Sequence, residues 1–149
     1  MDKIFDLLSL ERIKILTTSD KNEALRQIYH LLSSAETVKD EAELEKAIFE
    51  REDIISTGIG LGIAIPHVRL KSVTGMTVAI GVIKEGIDYN SFDGEPVNII
   101  IMIAAPEDAH REYLSVLAKI ALLLKNESIR KSILEADSPS EIYDVLKGY

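Results

Sequence analysis

The stretch that most constrains this chain is residues 56–67, Ser-Thr-Gly-Ile-Gly-Leu-Gly-Ile-Ala-Ile-Pro-His, which combines three closely spaced glycines with a proline. Because glycine lacks a Cβ atom, glycines at alternate positions allow a tight bend or a close approach between backbones. The apolar residues 63–65 predict a short buried strand. Pro66 cannot donate to a sheet ladder, so we expect the strand to end there and to present His67 at its end.

The sequence around His67 leaves two roles open for this residue. A histidine beside apolar residues is often structural, but an imidazole at a strand end is also suited to proton or group transfer. The glycines could likewise form only a turn. A dinucleotide loop is excluded because no strand precedes Gly58 and Ile63 stands where a small residue is needed. A nucleotide-hydrolase phosphate loop is excluded because no Gly-Lys-Ser/Thr sequence follows the glycines.

Composition excludes several classes of protein. The 149 residues suffice for one domain with a substantial core, so we expect a single domain over residues 1–149. The net charge of −8 argues against nucleic-acid binding. No apolar run is long enough to span a membrane, and the N-terminal sequence lacks the features of a signal peptide, so a cytoplasmic location without membrane insertion is expected.

Hydrophobic patterning predicts strands and helices arranged in layers. Strands are predicted at residues 12–16, 63–65, 76–82 and 96–105. Helices are predicted after the N-cap residue Asp20, over residues 40–52, after Pro106, and in the C-terminal region after the N-cap residue Ser138. The unbroken apolar character of residues 96–105 indicates a central strand with both faces covered. The predicted class is α/β, a three-layer α/β/α sandwich around a central mixed sheet.

Arg51 is a candidate anion-binding residue. It falls in register with the apolar face of the helix over residues 40–52, whereas its neighbours Glu50 and Glu52 are expected to point away. A buried guanidinium needs an anion because an unpaired buried charge is costly. That anion could be a carboxylate in an internal salt bridge, or a phosphoryl group held bidentately. The short stretch of chain between Arg51 and His67 allows the two side chains to meet.

His110 is the second histidine candidate. It lies in the first turn of the helix after Pro106, four residues before Leu114, and therefore in phase with a predicted apolar face. That face consists of Leu114, Leu117, Ala121 and Leu124. The positive end of the helix dipole favours a neutral imidazole and attracts anions. His110 could therefore be a core residue or a functional one.

Three kinds of chemistry were considered for these side chains. A metal site is disfavoured because His67 and His110 are distant in sequence and no third ligand stands out, so neither a metal nor a cofactor is expected. Serine hydrolysis is disfavoured because the Gly-x-Ser-x-Gly sequence is absent. Phosphoryl transfer fits best, since a neutral imidazole is a nucleophile and Arg51, a helix N-terminus and hydroxyl groups can stabilise the transferring oxygens.

Several segments in combination resemble a known family. Glu-Arg-Glu at residues 50–52, Ser-Thr-Gly-Ile-Gly at 56–60 and Gly-Ile-Ala-Ile-Pro-His at 62–67 are similar to the active-site signature of the fructose and mannitol type of enzyme IIA. That family belongs to the bacterial sugar phosphotransferase system and includes nitrogen-regulatory relatives. Phe-Asp-Gly-Glu-Pro-Val at 92–97 extends the resemblance, which covers essentially the whole chain. It implies the mannitol-type IIA fold.

The resemblance also implies a role for each candidate residue. His67 would be phosphorylated by the phosphohistidine of the small histidine phosphocarrier protein and would pass the group to a cysteine of a IIB component. His110 would correspond to a supporting histidine, and Arg51 to the arginine that stabilises the phosphoryl group. Thr57 matches a hydroxyl position near the site, although a hydroxyl beside glycines could equally hold a turn.

The resemblance leaves three functions open. Because the chain contains no cysteine, the phosphoryl group is expected to leave for a IIB component on a separate chain. The first function is therefore phosphoryl transfer for uptake of a sugar of the fructose or mannitol class. The alternative is regulation through the phosphorylation state, and a third possibility is a module that binds anions without transferring them.

Overall fold

A mixed sheet of six strands forms the centre of the fold, described for residues 4–149 of this computed structural model. In chain order the strands are β1 (Ile13–Ile15), β2 (Gly58–Gly60), β3 (Ile63–Ala64), β4 (His67–Leu70), β5 (Thr77–Ile87) and β6 (Val97–Pro106). The helices are α1 (Lys21–Ser33), α2 (Glu41–Ile54), α3 (His110–Lys125), α4 (Glu127–Glu135) and α5 (Pro139–Leu146). Two short 3-10 turns, Ile4–Leu7 and Leu10–Arg12, precede β1.

Strand β6 lies at the centre of the sheet. The strand order is β1-β5-β6-β3-β2, and β4 also pairs with β6. β5 runs antiparallel to β6 along one edge, whereas β3 and β4 both run parallel to it along the other. Residues 99–105 are all buried, which confirms the central strand predicted from the apolar sequence.

Helices cover both faces of the sheet. One core lies between the sheet and helices α1 and α2, and it contains Ile28 and Met102. The other lies between the sheet and helices α3, α4 and α5, and it contains Ile103 and Ile120. This arrangement confirms the predicted three-layer α/β/α sandwich with a mixed sheet. Within residues 4–149, no helix combines the length and the apolar character needed to cross a lipid bilayer.

Local capping explains where two helices begin. The Asp20 side chain accepts a hydrogen bond from the Glu23 N–H at the start of α1. The Ser138 side chain accepts one from the Glu141 N–H at the start of α5, where Pro139 is the first helical residue. Both N-caps were predicted from sequence, because a cap depends only on residues within one turn of the helix.

The segment around Pro66 differs from its prediction. β3 ends before Pro66 as expected, but pairing with β6 resumes at once, so His67 is the first residue of β4. His67 therefore follows the end of one strand, as predicted, but it also begins a second strand that was not predicted. The physical reason is that Pro66 removes one N–H donor without breaking the register, and its carbonyl still accepts from the Ile103 N–H at 2.9 Å.

A tight hairpin between β2 and β3 explains the glycines. Its two-residue loop consists of Leu61 and Gly62, whose φ angles of 59° and 77° are characteristic of a type I′ turn. A Cβ atom on Gly62 would lie 2.9 Å from Asn98 Oδ1. The Asn98 amide is itself held by hydrogen bonds to the carbonyls of Ile83 and Lys84, so it cannot readily move away.

We expect Gly62→Ala to destabilise the protein more than Gly94→Ala. Both glycines have positive φ, 77° and 74°, so alanine at either position costs about 1–2 kcal/mol in backbone strain. Only at Gly62 would the new methyl group also contact a fixed side chain, because nothing lies within 4 Å of a Cβ at Gly94. Urea denaturation should show an additional loss of about 1–3 kcal/mol for Gly62→Ala. Equal losses would contradict the turn geometry.

Candidate functional site

The candidate site is an open cleft at the edge of the sheet, where β4 lies beside α2 and α3. Its polar lining consists of Arg51, His67, Arg69, Glu107 and Tyr113, and its volume is about 380 Å³. The structure therefore brings together His67 and Arg51, as their sequence positions suggested. Within residues 4–149, no group of three or more His, Cys, Asp or Glu side chains is arranged to hold a metal ion.

The imidazole of His67 is oriented by its own backbone segment. Its Nδ1 is hydrogen-bonded to the Ile65 carbonyl. Because a carbonyl oxygen can only accept, Nδ1 carries the proton, and in the neutral ring Nε2 then has a free lone pair. The half-buried ring packs against Tyr113, with ring centroids 5.7 Å apart and an interplanar angle of 54°. The geometry thus makes Nε2 the nucleophilic nitrogen.

The surroundings of His67 favour its neutral form. Burial lowers the pKa of His67 below the ordinary value of 6.5 and outweighs the hydrogen bond to Ile65, which acts in the opposite direction. The positive charge of Arg51 lowers this pKa further, whereas the negative charge of Glu52 raises it. A larger fraction of the ring is therefore neutral at neutral pH, as a nucleophile requires.

Arg51 lies in the last turn of α2 and lines the cleft. Its Nη1 donates to the Ile55 carbonyl at 2.9 Å. Within residues 4–149 no carboxylate forms an ion pair with Arg51. Of the two anions considered from sequence, the internal carboxylate is therefore not the one found, and the remaining N–H groups of the guanidinium are available to an anion beside His67.

Glu52 is one of the buried residues of α2, with Leu44 and Ile48, so the prediction that it points elsewhere than the apolar face was wrong. Its side chain is 4% exposed, and its carboxylate forms an ion pair with Lys21 Nζ at 3.1 Å. It also accepts hydrogen bonds from the N–H and the hydroxyl of Thr57, the latter at 2.7 Å. A buried carboxylate requires such partners, and these come from other segments of the chain that helix periodicity does not reveal.

Thr57 lies behind the cleft rather than on its wall. The residue is buried, and its hydroxyl donates to Glu52 and lies 3.1 Å from the Tyr89 hydroxyl. Its carbonyl accepts a hydrogen bond from the Ile65 N–H at 3.1 Å. The Thr57 hydroxyl is thus engaged within the protein. These contacts are those of a residue that holds the loop before His67.

His110 is the first residue of α3, as its predicted place in the first turn suggested, but it is exposed. The apolar phase assigned to α3 was wrong for Leu114, which is 51% exposed, whereas Leu124 is buried as predicted. The other buried residues of the helix are Tyr113, Val116 and Ile120. The observed buried face of α3 is thus shifted by about one residue from the predicted face, and His110 lies outside it. The described residues that line the cleft do not include His110.

Sequence reasoning missed three polar residues that line the cleft, Arg69, Glu107 and Tyr113. The guanidinium carbon of Arg69 lies 5.3 Å from the centroid of the Tyr113 ring, and its Nη1 donates to the Glu107 carbonyl at 3.2 Å. A cation over an aromatic ring is a favourable arrangement. Arg69 shares one face of β4 with His67, because side chains two apart in a strand point the same way, but this strand was not predicted from the sequence.

Comparisons with known protein sequences agree on one family. A family model described as phosphoenolpyruvate-dependent sugar phosphotransferase system, EIIA 2, matches residues 6–149. The fructose-specific EIIABC component of Bacillus subtilis is 39% identical over 99% of this chain, which spans 23% of that protein's length. The fructose-specific EIIA component of Haloferax volcanii is 33% identical, over 95% of this chain and 89% of that protein. The nitrogen regulatory protein of Bradyrhizobium diazoefficiens is 32% identical, with corresponding shares of 96% and 94%.

Solved structures share this fold. The crystal structure of the nitrogen regulatory protein IIA-Ntr from Neisseria meningitidis has a TM-score of 0.87 and 33% identity, covering 96% of this chain and 98% of that chain. The mannitol enzyme IIA of Escherichia coli, in complex with phosphorylated mannitol enzyme IIB, has a TM-score of 0.78 and 24% identity, covering 95% and 98%. The latter likeness concerns the fold alone, and it confirms the expected mannitol-type architecture.

We expect Arg51→Ala to raise the pKa of His67. The positive charge of Arg51 lowers that pKa, so its removal should move the midpoint of the imidazole titration upwards. An NMR titration of the His67 ring would measure the shift. Lys46→Ala is the control, because it removes an exposed cation from the same helix. Equal midpoints in the two variants would contradict the proposed influence of Arg51.

The same titration affects stability in a defined direction. The pKa of His67 is lower in the folded protein than the value of 6.5 expected for an unfolded chain, so the unfolded state binds more protons between these two values. The free energy of unfolding should therefore be unaffected by His67 above pH 6.5, should fall as the pH decreases from 6.5 to the lower folded pKa, and should level off below that value. Denaturation of wild type and His67→Gln across this pH range would isolate the contribution.

Proposed function

The chain belongs to the EIIA 2 family of the phosphoenolpyruvate-dependent sugar phosphotransferase system, as the sequence resemblance indicated, and we propose that it is a phosphoryl carrier acting through His67. The observation that supports this most directly is the hydrogen bond from His67 Nδ1 to the Ile65 carbonyl. It leaves Nε2 with a free lone pair in a cleft that also contains Arg51. Residues 1–149 act as a single IIA unit in the cytoplasm.

The proposed donor is the phosphohistidine of a small histidine phosphocarrier protein. Nε2 of His67 attacks the phosphorus atom in line, and the bond between phosphorus and the donor nitrogen breaks, with its electron pair remaining on the donor ring. Nδ1 keeps its proton and its hydrogen bond to Ile65. Arg51 stabilises the negative charge on the transferring oxygens. No step of this proposal requires a metal ion or a cofactor.

The proposed acceptor is a cysteine of a IIB component. Its thiolate attacks the phosphorus atom, and Nε2 of His67 departs with the electron pair of the breaking bond. The E. coli mannitol enzyme IIA was solved in complex with phosphorylated enzyme IIB, which supports an acceptor of this type. Relatives named as fructose-specific support a sugar of the fructose or mannitol class.

The proposal assigns supporting roles to two further residues. His110 lies at the N-terminus of α3, where backbone N–H groups attract anions, and it assists the transfer of the phosphoryl group to and from His67. Thr57 contributes from behind the cleft by holding the loop that leads to His67.

A second candidate function is regulation through the phosphorylation state of His67. It is supported by the similarity to the nitrogen regulatory proteins of B. diazoefficiens and N. meningitidis, at 32% and 33% identity. Both functions use the same phosphorylation chemistry and differ in what happens next. Incubation of the phosphorylated protein with a purified fructose-type IIB component separates them: transfer of phosphate to IIB supports sugar uptake, and retention on His67 supports regulation.

We expect His67→Ala to abolish phosphorylation. Wild type incubated with phosphoenolpyruvate, enzyme I and the phosphocarrier protein should gain one acid-labile phosphoryl group, measured by intact mass. Arg51→Ala should slow the gain by about 10²–10³-fold, because it removes a donor that stabilises the transferring oxygens. His30→Ala, which removes an exposed histidine of α1, should behave like wild type. A phosphorylated His67→Ala protein would rule out the assignment.

We expect His110→Ala still to accept the phosphoryl group but to transfer it more slowly. The exposed position of His110 on α3 implies that its removal leaves the nucleophile and the fold intact. Rapid-quench measurement of transfer into and out of the protein, with His30→Ala as the control, would show the effect. Rates equal to those of the control in both directions would remove His110 from the mechanism.

A further inference from the structure

We propose that Glu52 is a positioning residue for His67 and that it acts through Thr57 and Ile65. This inference rests on the proposed function, since it takes His67 as the phosphorylated residue. It assigns a role in the reaction to a buried carboxylate that lies behind the cleft.

Three hydrogen-bonded steps connect Glu52 to His67. The Glu52 carboxylate accepts the Thr57 N–H at 3.1 and 3.2 Å to its two oxygens, and it accepts the Thr57 hydroxyl at 2.7 Å. The Thr57 carbonyl accepts the Ile65 N–H at 3.1 Å. The Ile65 carbonyl accepts from Nδ1 of His67. A displacement of the carboxylate would therefore be passed to the carbonyl that selects the ring tautomer.

The carboxylate end of this path is fixed by a buried polar cluster. Lys21 Nζ lies 3.1 Å from Glu52 and also donates to the Tyr89 carbonyl at 3.1 Å. The same ammonium lies 4.3 Å from the centroid of the Tyr89 ring, which is fully buried. Because hydrogen-bonded polar groups in a low-dielectric interior hold their geometry strongly, this cluster gives Glu52 a defined position.

The histidine end is fixed by the backbone. The Pro66 ring restricts its own φ and favours an extended conformation at Ile65. The Pro66 carbonyl accepts from the Ile103 N–H at 2.9 Å, which ties this segment to the central strand. The segment that carries the Ile65 carbonyl is therefore held by Thr57 through the Ile65 N–H and by β6 through the Pro66 carbonyl. The imidazole adopts the tautomer that the Ile65 carbonyl requires.

The negative charge of Glu52, like its hydrogen bonds to Thr57, favours His67 as a nucleophile. It raises the pKa of His67, against the larger effect of burial and that of Arg51. A more basic ring nitrogen is a better nucleophile, provided that it remains neutral at the working pH. Arg51 and Glu52 are consecutive residues of α2, so one helix end supplies both the cation that lines the cleft and the carboxylate behind it.

A purely structural role for the cluster makes a different prediction. If Glu52 only anchored α2 to the hairpin, its substitution would lower stability without changing the tautomer of His67. Tyr89→Phe provides the matched control, because it removes a hydroxyl 3.1 Å from that of Thr57 and leaves the three steps of the path intact. It should lower the melting temperature and leave the His67 ring unchanged.

The decisive measurement is the tautomer of neutral His67, read from long-range ¹H–¹⁵N NMR spectra. Wild type should show the Nδ1–H form. In Glu52→Gln, which removes the charge, and in Thr57→Val, which removes the hydroxyl, we expect the Nε2–H form to become populated. Thr57→Ser keeps the hydroxyl and should restore the wild-type spectrum. If Glu52→Gln does not fold, the comparison of Thr57→Val with Thr57→Ser still decides the question.

Two results would overturn the proposal: folded Glu52→Gln and Thr57→Val proteins with the wild-type tautomer, or a Tyr89→Phe protein with an equally altered ring.

Transfer from the phosphorylated carrier protein provides a second readout. We expect the maximal rate to fall by about 10–100-fold in Glu52→Gln and Thr57→Val, with little change in the half-saturating donor concentration. A loss confined to that concentration would contradict a positioning role.

The two readouts separate this proposal from the proposed function. The NMR spectra require no phosphoryl donor, so they test the link between Glu52 and His67 whether or not the protein is phosphorylated. A wild-type protein with the expected tautomer that gains no phosphoryl group would contradict the carrier function alone. A phosphorylated wild type whose Glu52→Gln variant keeps the tautomer and the rate would contradict the positioning role alone.

Discussion

The site depends on how two short strands share one edge of β6. Ala64 pairs with Ile100 and His67 pairs with Ile103, so the register is the same before and after Pro66. The interruption therefore costs little pairing, and the Ile65 N–H donates to the Thr57 carbonyl rather than to β6. The Ile65 carbonyl accepts from the ring two residues later. The constant register on either side of Pro66 thus fixes the position of the acceptor that orients the histidine.

The features that could be predicted from sequence are those set by local interactions. The central strand follows from an unbroken apolar run, and the caps at Asp20 and Ser138 follow from residues within one turn. β4 could not be predicted, because pairing after a proline depends on the register of a strand that comes much later in the chain. For the same reason, the tight turn at Leu61 was evident only as a group of glycines, since its type depends on the pairing of β2 with β3.

The residues of the candidate site also divide into those that local sequence indicates and those that depend on distant contacts. His67 and Arg51 were identified because a contiguous signature and a helix register mark them. The start of α3 near His110 was also predictable, because nearby residues determine it. The buried face of α3 was not, because the packing of Tyr113 against the His67 ring contributes to which residues face inwards. Glu52 was misplaced because its cationic partner belongs to another helix. Periodicity detects which residues are apolar, and it does not detect a buried charge with a distant partner.

A carrier that receives and releases the same group faces a constraint that favours positioning over tighter binding. Interactions that stabilise the phosphorylated state accelerate transfer onto Nε2 but raise the barrier for departure, because only stabilisation specific to the transition state speeds both steps. Arg51 is half-buried and has no carboxylate partner within the described residues 4–149, so it can interact with the transferring oxygens. The hydrogen bond from His67 to the Ile65 carbonyl acts differently from stabilisation of the phosphorylated state. It keeps the proton on Nδ1, so Nε2 is the nitrogen that both attacks and departs. In the proposed carrier, a rigid backbone acceptor therefore serves both directions of transfer where additional cations would favour only one.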